Sequence, residues 1–543
     1  MAEIVAKIAW ESVGEPSRLL LDYLASPRKG LPSFIDGVRP DRSSWETRPE
    51  RGGVVGRRDE SLWKSVADDV EGLSRKLGTR EEILGKVRGA ATGAASFVVT
   101  GQQPGTLGGP LHTAYKVATA IAVAARVEES TGRPVVPLYW CGSDDTDFGE
   151  IRQLSLLTDT FDPVSAAVAQ SAHRSGMPVG DIPLSPLTTL WRIARDFVRG
   201  FRGAVWATSC VDAAFDAADD HGELAAATLV GLFGGRIAVV DGRMGCLRRC
   251  AQPVFREYVN DEDAVKRLVR GEGERLVKKG YHAQLAAGED SGVFLIEGGL
   301  RKNVPAANRS LLEEAVANDV EKCSPGVVLR NLVQDYVFDP VCVVLGPAEL
   351  AYRAQIGPLY EKFGIPRPAE LPRMAATFVP PPLAALVDDS GGAAALVENP
   401  SAFARDCYGR SVPAGLEAAI ADVKSGIAQT LEKFAAQAID DLPSRTRQKI
   451  RARMGEVENR VDDLRRTAME AGKVIALERW PFLGRVEQLI RPNGKAQERW
   501  LSSLFPFLYG SDATGGALTH LARTHVDELM DEHPQHIVYS CRS

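Results

Sequence analysis

The sequence lacks any apolar run close to the roughly 20 residues that a membrane-spanning helix needs. Its first residues, Met1 to Ile4, include Glu3 and show no basic and apolar leader of the kind that directs secretion. An excess of one charge is also lacking, because 65 Lys and Arg residues stand against 71 Asp and Glu residues, for a net charge of -6. A chain with this balance has no general attraction to nucleic acid or to an anionic membrane. We therefore expect a cytoplasmic protein that binds neither.

Cysteine is scarce, with eight residues among 543, and most of them lie far apart. Cys246 and Cys250 have the i, i+4 spacing of one helix face, but no second pair follows at the distance typical of a zinc site. Scattered thiols in a long chain are typical of small buried side chains in a reducing compartment. The cysteines therefore predict no metal site.

The length of the chain predicts more than one structural unit. Its 543 residues exceed the roughly 250 to 300 at which a single hydrophobic core stops growing. The composition, 44% hydrophobic and 25% charged, is ordinary for a globular protein. Local changes in composition predict an N-terminal segment of the core over 1–95, an α/β core over 96–390, a helical hairpin over 391–480, and a C-terminal segment over 481–543 that packs back on the core.

Short apolar runs alternate with amphipathic stretches from Phe97 to about Arg373. This alternation is typical of a Rossmann-like, doubly wound α/β sheet with helices on both faces. A more charged segment at about 250–325 interrupts the pattern, which indicates an insertion or a lid. The predicted buried strands are 97–100, 135–140, 205–208, 237–241 and 341–346.

Two long amphipathic stretches follow the predicted core. Apolar side chains recur every three or four residues from Leu416 to Ala438 and again from Ile450 to Ile475, and Pro443 lies between the two stretches. A seven-residue apolar repeat of this kind predicts an antiparallel α-helical coiled-coil hairpin. The hairpin could be a packed subdomain without a further role, or it could join two copies into a homodimer. The charged faces beside the apolar seam favour the homodimer.

A glycine-rich turn separates the first core strand from the next helix. Such a turn leaves backbone N–H groups free and directs the positive end of the helix dipole at the adjacent crevice, which suits an anion. The turn has neither the Gly-Lys-Ser/Thr of a P-loop nor GxGxxG spacing. Its glycines could also serve only to end the strand, and Lys116 could be a surface lysine. The candidate binding residues are Thr100, Gly101, Gln102, Gln103, Gly105, Gly109, Thr113 and Lys116.

An acidic loop follows the second core strand. It carries Asp144, Asp145, Asp147 and Glu150. Because ligands of open α/β sheets bind outside the carboxyl ends of the strands, we expect this loop and the glycine turn to face one crevice. The carboxylates could hold magnesium, orient an amine or accept its proton. Alternatively, Asp147 caps a helix and the other carboxylates are solvated.

Several separated segments are similar to the motifs of one enzyme family and occur in the same order. The segments are 99–105, 109–116, 329–335, 346–355, 372–373 and 492–499. They resemble the signature of the bacillithiol-biosynthesis cysteine-adding enzymes. The resemblance adds these candidate substrate- or nucleotide-binding residues: Gln334, Asp335, Gly346, Pro347, Glu349, Tyr352, Gln355, Arg373, Asn493 and Gly494.

The resemblance implies a Rossmann-like core related in architecture to class I aminoacyl-tRNA synthetases, followed by a dimerising coiled coil. It also implies a ligase that joins the carboxyl group of cysteine to the amine of glucosaminyl-malate. A carboxylate must be activated before an amine attacks it, so ATP or another adenosine nucleotide is expected. The expected partners are therefore small-molecule substrates and a second copy of the chain.

Two positions that bear on proton transfer depart from the family pattern. The family's acidic loop carries a histidine where this chain has Thr146, and His112 stands where the family usually has tyrosine. Threonine cannot replace histidine as a general base near neutral pH. Either His112 takes that role, or the reaction runs without it, or the substrate differs. The candidate catalytic residues are therefore Asp144, Asp145, Asp147, Glu150 and His112.

Two further functions remain open at this stage. The chain could be a paralogous ligase that joins a different amino acid and amine in specialised metabolism. It could also be a non-catalytic dimeric scaffold that has kept the fold, because a fold does not by itself imply an activity.

Overall fold

The computed structural model describes residues 2–13, 16–25, 59–285, 292–305, 308–390, 392–438, 442–531 and 534–541. The chain divides into two compact units. The core unit comprises 1–158, 163–385 and 495–543, and the helical unit comprises 159–162 and 386–494. The boundary predicted at residue 480 therefore falls inside the helical unit, because 481–494 group with the helices that precede them.

The described strands are β1 (Ala2–Ile8), β2 (Ser96–Gln102), β3 (Val135–Cys141), β4 (Gln153–Leu157), β5 (Pro163–Ala167), β6 (Ala238–Asp241), β7 (Val293–Glu297), β8 (Leu300–Asn303), β9 (Cys323–Pro325), β10 (Cys342–Leu345), β11 (Ala369–Pro372), β12 (Ala376–Phe378) and β13 (His536–Cys541). The described helices up to the end of the central sheet are α1 (Arg18–Ala25), α2 (Glu60–Lys76), α3 (Glu81–Ala91), α4 (Leu111–Thr131), α5 (Phe148–Ile151), α6 (Leu184–Val198), α7 (Ala204–Ala217), α8 (His221–Leu232), α9 (Gly245–Cys250), α10 (Gln252–Asn260), α11 (Glu262–Lys278), α12 (Arg309–Asn318), α13 (Val327–Phe338) and α14 (Pro347–Lys362). The later helices are α15 (Pro381–Ser390), α16 (Ala393–Glu398), α17 (Pro400–Arg410), α18 (Ala414–Ala438), α19 (Ser444–Arg479), α20 (Val486–Ile490), α21 (Gln497–Trp500), α22 (Phe505–Tyr509) and α23 (Thr514–Asp531).

Five parallel strands form the central sheet of the core unit, in the order β11-β10-β2-β3-β6. Side chains of β2 alternate between the two faces, since Phe97 and Val99 join one apolar cluster and Val98 joins another. Burial on both faces explains why the strand is a continuous apolar run rather than an alternating one. The Rossmann-like α/β class is confirmed, as are the predicted strands at 97–100, 135–140, 237–241 and 341–346.

The prediction of a strand at 205–208 is wrong, because these residues belong to α7. Ala204, Ala207, Val211 and Ala214 are buried in this helix at intervals of three or four residues, while Val205 is 80% exposed. This run of apolar residues is too short to distinguish the two-residue period of a strand from the 3.6-residue period of a helix. Packing in the folded protein favours the helix.

The predicted insertion contains helices and a small antiparallel sheet in the order β8-β7-β9. A second small sheet, β1-β13-β12, pairs the beginning of the chain with its end. Register within this sheet places Ala2 opposite Cys541 and Thr377 opposite Val538. The final segment from residue 495 is thus part of the core unit.

Two long helices, α18 and α19, form most of the helical unit and pack on each other. Lys424 on α18 lies 2.6 Å from the carboxylate of Asp462 on α19. Of the predicted seam residues, Val461 is buried, whereas Val423 is 46% exposed and Leu464 is 53% exposed. The two helices lie where the heptad pattern placed them, and their coiled-coil and homodimer roles stay predictions.

None of the described helices has both the length and the apolar character required to span a bilayer.

Candidate active site

A cavity of about 1090 Å³ lies in the core unit beyond the carboxyl ends of β2, β3 and β10. Cavities of several hundred Å³ or more are the size that small-molecule sites use. The predicted site residues that line it are Gly101, Gln102, Gln103, Gly105, His112, Lys116, Asp144, Asp145, Asp147, Glu150, Gly346, Pro347, Glu349, Tyr352 and Arg373. The glycine turn and the acidic loop therefore do face one crevice.

The glycine turn is built on close backbone contact. A Cβ atom on Gly105 would lie 2.4 Å from the Cα atom of Gly109, and Gly109 itself has a positive φ of 74°. Both positions therefore require glycine.

The helix α4 that follows the turn does not offer all of its first N–H groups to the cavity. The Leu111 N–H donates to the carbonyl oxygen of Leu501 at 2.7 Å, and the Thr113 N–H donates to that of Pro110 at 2.8 Å. The expectation of free N–H groups at this helix start is wrong for these two residues. The segment at Leu501 takes the first N–H, and the turn's own Pro110 carbonyl takes the second.

Lys116 is buried rather than on the surface, with 2% of its area exposed. Its ammonium forms an ion pair with Glu349 and donates to the Gly101 carbonyl at 2.7 Å and to Gln102 Oε1 at 2.8 Å. Glu349 also accepts a hydrogen bond from the Gly346 N–H. Burial raises the pKa of Glu349, but the Lys116 ammonium, the Gly346 N–H and the charge of Arg330 together hold the pKa below its usual range.

The acidic loop has three distinct environments. Asp144 is buried and accepts a hydrogen bond from Ser324 Oγ at 2.9 Å, so the insertion holds it. Asp145 accepts from Gln103 Nε2 at 2.8 Å, which connects the loop to the glycine turn. Asp147 accepts from the Glu150 N–H and caps the short helix α5, as the structural alternative predicted.

Glu150 is the carboxylate in this loop that is best suited to accept a proton. Although Glu150 is exposed overall, partial loss of solvent and the neighbouring carboxylates of Asp147 and Asp145 raise its pKa. A carboxylate with a raised pKa is a stronger base than one in open solvent. Among the described residues, no group of three or more His, Cys, Asp or Glu side chains is arranged to hold a metal ion.

His112 lies in the cavity but is a weak base. Its Nδ1 donates to the Glu498 carbonyl oxygen at 3.1 Å. Burial and the positive charges of Arg373 and Lys116 lower the pKa of His112 to about 3. The imidazole is therefore neutral at pH 7 and binds a proton too weakly to replace the histidine missing at Thr146.

Arg373 joins the motif at the end of β11 to the C-terminal motif. Its guanidinium forms a two-pronged ion pair with Glu498, with one contact at 2.8 Å, and it also donates to the Met374 carbonyl at 2.9 Å. Nearby residues of the same C-terminal motif, Lys495, Arg499 and Trp500, line the cavity.

Several predicted site residues hold the fold together and are not among those that line the cavity. Thr100 Oγ1 donates to the Val344 carbonyl at 3.0 Å, and Gln355 Nε2 donates to that of Leu285 at 2.9 Å. Asp335 forms a fully buried ion pair with Arg353. The other predicted residues that do not line the cavity are Gly109 in the turn, Thr113 at the start of α4, Gln334 beside Asp335, and the exposed Asn493 and Gly494 in the helical unit.

Some cavity residues escaped the prediction from sequence. The insertion supplies Phe294 and Arg301, and the Arg301 guanidinium lies 3.9 Å from the centre of the Phe294 ring. Arg301 Nε donates to Ser324 Oγ, the same hydroxyl that donates to Asp144. No local pattern marked these insertion residues. Arg330 and Arg499 also line the cavity, and both lie within motif segments that could have pointed to them.

Cys246 and Cys250, the one candidate metal pair among the cysteines, are buried in the apolar core on α9, and neither forms a disulfide. Because both side chains are buried, their i, i+4 spacing is explained by the packing of one helix face against the core.

Comparisons with known proteins agree with the motif resemblance. The family model described as "Bacillithiol biosynthesis BshC, N-terminal Rossmann-like domain" matches residues 5–374. A protein of Koribacter versatilis named "Putative cysteine ligase BshC" is 27% identical over 533 residues, covering 92% of this chain and 94% of its own length. One of Salinibacter ruber with the same name is 27% identical over 506 residues, covering 88% and 91%.

Among solved structures, one described as a "putative arginyl t-RNA synthetase" from Campylobacter jejuni covers 85% of this chain at 10% identity, with a TM-score of 0.22. A score at that level does not establish a shared fold, so the family assignment rests on the sequence match. The chain belongs to the BshC family of bacillithiol biosynthesis, and both relatives described above carry the name "Putative cysteine ligase BshC".

Proposed function

We propose that this chain is an amide-forming ligase of bacillithiol biosynthesis that joins the carboxyl group of cysteine to the amine of glucosaminyl-malate. The observation that carries the proposal is the contact between Gln103 Nε2 and Asp145 Oδ2 at 2.8 Å, within a cavity that both residues line. This contact brings the glycine turn and the acidic loop together at one site. The names of the BshC relatives support the reaction class.

The acidic loop would handle the attacking amine. An amine becomes a nucleophile only when it is neutral, and it must lose a further proton as the C–N bond forms. In this proposal Asp145 orients the amine, and Glu150, with its raised pKa, accepts the proton. The activating group leaves with the oxygen of the former carboxylate.

Activation of the carboxyl group is assigned to ATP or another adenosine nucleotide. The side chains that suit its phosphates are the cationic residues of the cavity, Arg330, Lys495 and Arg499. When bound, the nucleotide supplies the phosphoryl or adenylyl group that makes the carboxylate reactive. The described carboxylates are not arranged as a metal-holding group, so we assign no protein ligand set to magnesium.

The experiment that tests the proposal is incubation with cysteine, glucosaminyl-malate and ATP, followed by mass spectrometry. We expect a thiol-bearing conjugate with the mass of both substrates less one water. An Asp145→Asn variant should lose most of this product, because an amide cannot attract the amine as a carboxylate does. The absence of conjugate at high enzyme concentration would contradict the proposal, and full activity in the variant would favour a non-catalytic role for this loop.

A paralogous ligase with a different amino acid and amine is the second candidate, and Thr146 is the observation that favours it. The Thr146 backbone N–H donates to Asp145 Oδ1, and its carbonyl oxygen accepts from the Phe148 N–H at 3.0 Å. A thermal-shift screen of amino acids discriminates the two, because a ligand that binds only the folded state raises the melting temperature. A shift with cysteine alone supports the first candidate, and a larger shift with another amino acid supports the second.

We also propose that the protein is a cytoplasmic homodimer joined through α18 and α19. The support is the row of exposed apolar side chains, including Val423 at 46% and Leu464 at 53% exposure. Sedimentation equilibrium should show a dimer for the full chain and a monomer for a Val423→Asp, Leu464→Asp double variant. A wild-type monomer at micromolar concentration would contradict this assembly.

A further inference from the structure

A short segment after β5 holds the acidic loop by its backbone. This segment, residues 176–182, is called the strap below. The Val179 N–H donates to the Asp145 carbonyl oxygen at 2.7 Å, and the Gly180 N–H donates to that of Ser143 at 2.9 Å. Val179, Gly180 and Ser143 are all buried. The backbone that carries the loop carboxylates is therefore fixed by the strap as well as by β3.

The strap and the loop lie too close together for larger side chains at the contact. A Cβ atom on Gly180 would lie 2.5 Å from Ser143 Cβ and 2.8 Å from Arg243 Cζ. A Cβ atom on Gly222, in the first turn of α8, would lie 2.7 Å from Ser143 Oγ and 2.9 Å from Arg243 Nη2. Ser143 is therefore enclosed by two glycines, and the Arg243 guanidinium lies beside both of them.

Arg243 connects the strap to two other elements of the core unit. Its guanidinium lies 2.6 Å from Asp181 in the strap and 2.9 Å from Asp220, which caps α8. Two further contacts, at 2.8 Å and 3.0 Å, join it to Asp241 at the end of β6. Among the described residues, Arg243 is the one cation within 4.0 Å of these three carboxylates. A planar guanidinium suits such shared contacts, and its loss would leave the carboxylates to repel each other.

His221 attaches the strap to α8 a second time. Its Nδ1 donates to the Val179 carbonyl oxygen at 3.0 Å, and its backbone N–H donates to that of Ile182 at 3.0 Å. Burial lowers the pKa of His221 to about 4, so the imidazole is neutral and carries its proton on Nδ1. The strap is therefore anchored to α8 by neutral and charged contacts together.

The other end of the strap contacts the insertion. The Arg301 N–H donates to the Gly176 carbonyl oxygen at 2.7 Å, and the Arg301 side chain lines the cavity. The strap residues are not themselves among those that line the cavity. The strap thus contacts two walls of the cavity, the acidic loop and the insertion, without meeting what the cavity would bind.

We propose that Arg243 is a positioning residue for the reaction, which clamps the strap against the acidic loop and so fixes Asp145 opposite Gln103. Asp145 is the residue at which this clamp reaches the site, because its carbonyl oxygen accepts from the strap while its carboxylate accepts from Gln103. The kinetic part of the inference rests on the function proposed above. The clamp itself rests only on the contacts of Arg243, the strap and the loop.

The test compares Arg243→Met with the wild type by hydrogen exchange and mass spectrometry. The amides of Val179 and Gly180 report directly on the clamp, because both donate to carbonyl oxygens of the loop. We expect these amides to exchange faster by about tenfold or more, while exchange in the central sheet stays unchanged. Arg195→Met is the matched control, since Arg195 also pairs with an aspartate, Asp212, but joins α6 to α7. It should leave the exchange of the strap as in the wild type.

Steady-state kinetics distinguish positioning from stability. We expect kcat of Arg243→Met to fall by about tenfold to a hundredfold, because small displacements of a positioned group are costly. The KM for cysteine should stay within about twofold, because the acidic loop is assigned to the amine of the other substrate. Unchanged exchange at Val179 and Gly180 would overturn the clamp, as would faster exchange spread evenly over the core unit. Faster exchange of the strap with an unchanged kcat would overturn the positioning role.

An Asp181→Asn variant provides a second test should Arg243→Met fail to fold. The Asp181 side chain is 41% exposed, and its replacement leaves the pairs of Arg243 with Asp220 and Asp241 in place. It should change strap exchange and kcat in the same direction by a smaller factor, and wild-type values of both would overturn the inference. The exchange measurement needs no substrate, so a wild type that forms no conjugate rejects the ligase reaction and leaves the clamp to be judged by exchange. Normal conjugate formation with unchanged exchange in both variants rejects only the clamp.

Discussion

The two sides of the cavity manage charge in different ways. After β10, Lys116 and Arg373 are buried and are paired with Glu349 and Glu498, whose side chains are only 20% and 16% exposed. After β3, Asp147 and Glu150 are exposed and have no ion-pair partner of their own among the described residues. A buried ion pair is costly to break, whereas exposed carboxylates that repel each other are free to bind a cationic group or a proton. The first side is therefore a rigid support, and the second is the side to which the proposed reaction assigns proton transfer.

The largest effect is expected from Lys116→Met, which breaks the buried pair on the rigid side. Removing the ammonium leaves Glu349 buried without its counter-charge, which should lower the free energy of unfolding by about 3 to 5 kcal/mol. Urea denaturation monitored by circular dichroism measures this loss. The Lys116→Met, Glu349→Gln double variant is the control and should recover much of it. A loss below 1 kcal/mol would show that this side is not the support that its contacts indicate.

A smaller effect on stability but a large one on turnover is expected from Glu150→Gln. Loss of a positioned general base lowers kcat by about 10² to 10⁴, while an exposed substitution changes stability by about 0.5 kcal/mol or less. In the wild type, turnover should fall as pH drops through the raised pKa of Glu150, because the protonated carboxyl cannot accept a proton.

The pH profile of kcat tests that assignment directly. The Glu150→Gln variant should lose the acidic limb, and Glu150→Asp should keep it at reduced rate. An unchanged acidic limb in Glu150→Gln would assign the base to another residue.

The smallest effect on turnover is expected from His112→Gln. Because its pKa is about 3 in the folded protein, His112 carries no proton between pH 5 and 9, and kcat should change by less than about threefold. Stability is a different matter, since the unfolded imidazole titrates near pH 6.5. Below pH 6.5 the unfolded state therefore binds more protons than the folded state does. The stability that the neutral imidazole contributes is complete above pH 6.5 and is lost as pH falls from 6.5 toward 3.

Denaturation of wild type and His112→Gln at a series of pH values measures this contribution. The variant should lose less stability on acidification. A kcat that falls a hundredfold in His112→Gln would restore this residue as the general base and contradict the interpretation of its low pKa.

Much of the site could be predicted from the chain because it follows directly from strand ends. Gln103 and Asp145 lie just after neighbouring apolar runs, so a parallel sheet was bound to bring them together. Arg301 could not be predicted in this way, because it reaches the cavity from a separate small sheet in the insertion. Residues 205–208 and the site roles of Gln355 and Asp335 were misjudged for a related reason, since an apolar run or a polar motif residue does not show what it will pack against.

The amino-acid order alone determined the apolar strands, the glycines at the tight turn, the carboxylates beyond β3 and the two long amphipathic helices, because these depend on periodicity and backbone freedom over a few residues. Only the tertiary structure decided that Lys116 is a buried ion, that the imidazole of His112 is held neutral, and that Arg373 meets Glu498 across the chain. These properties depend on burial and on charges brought together from distant segments, and no local pattern encodes them.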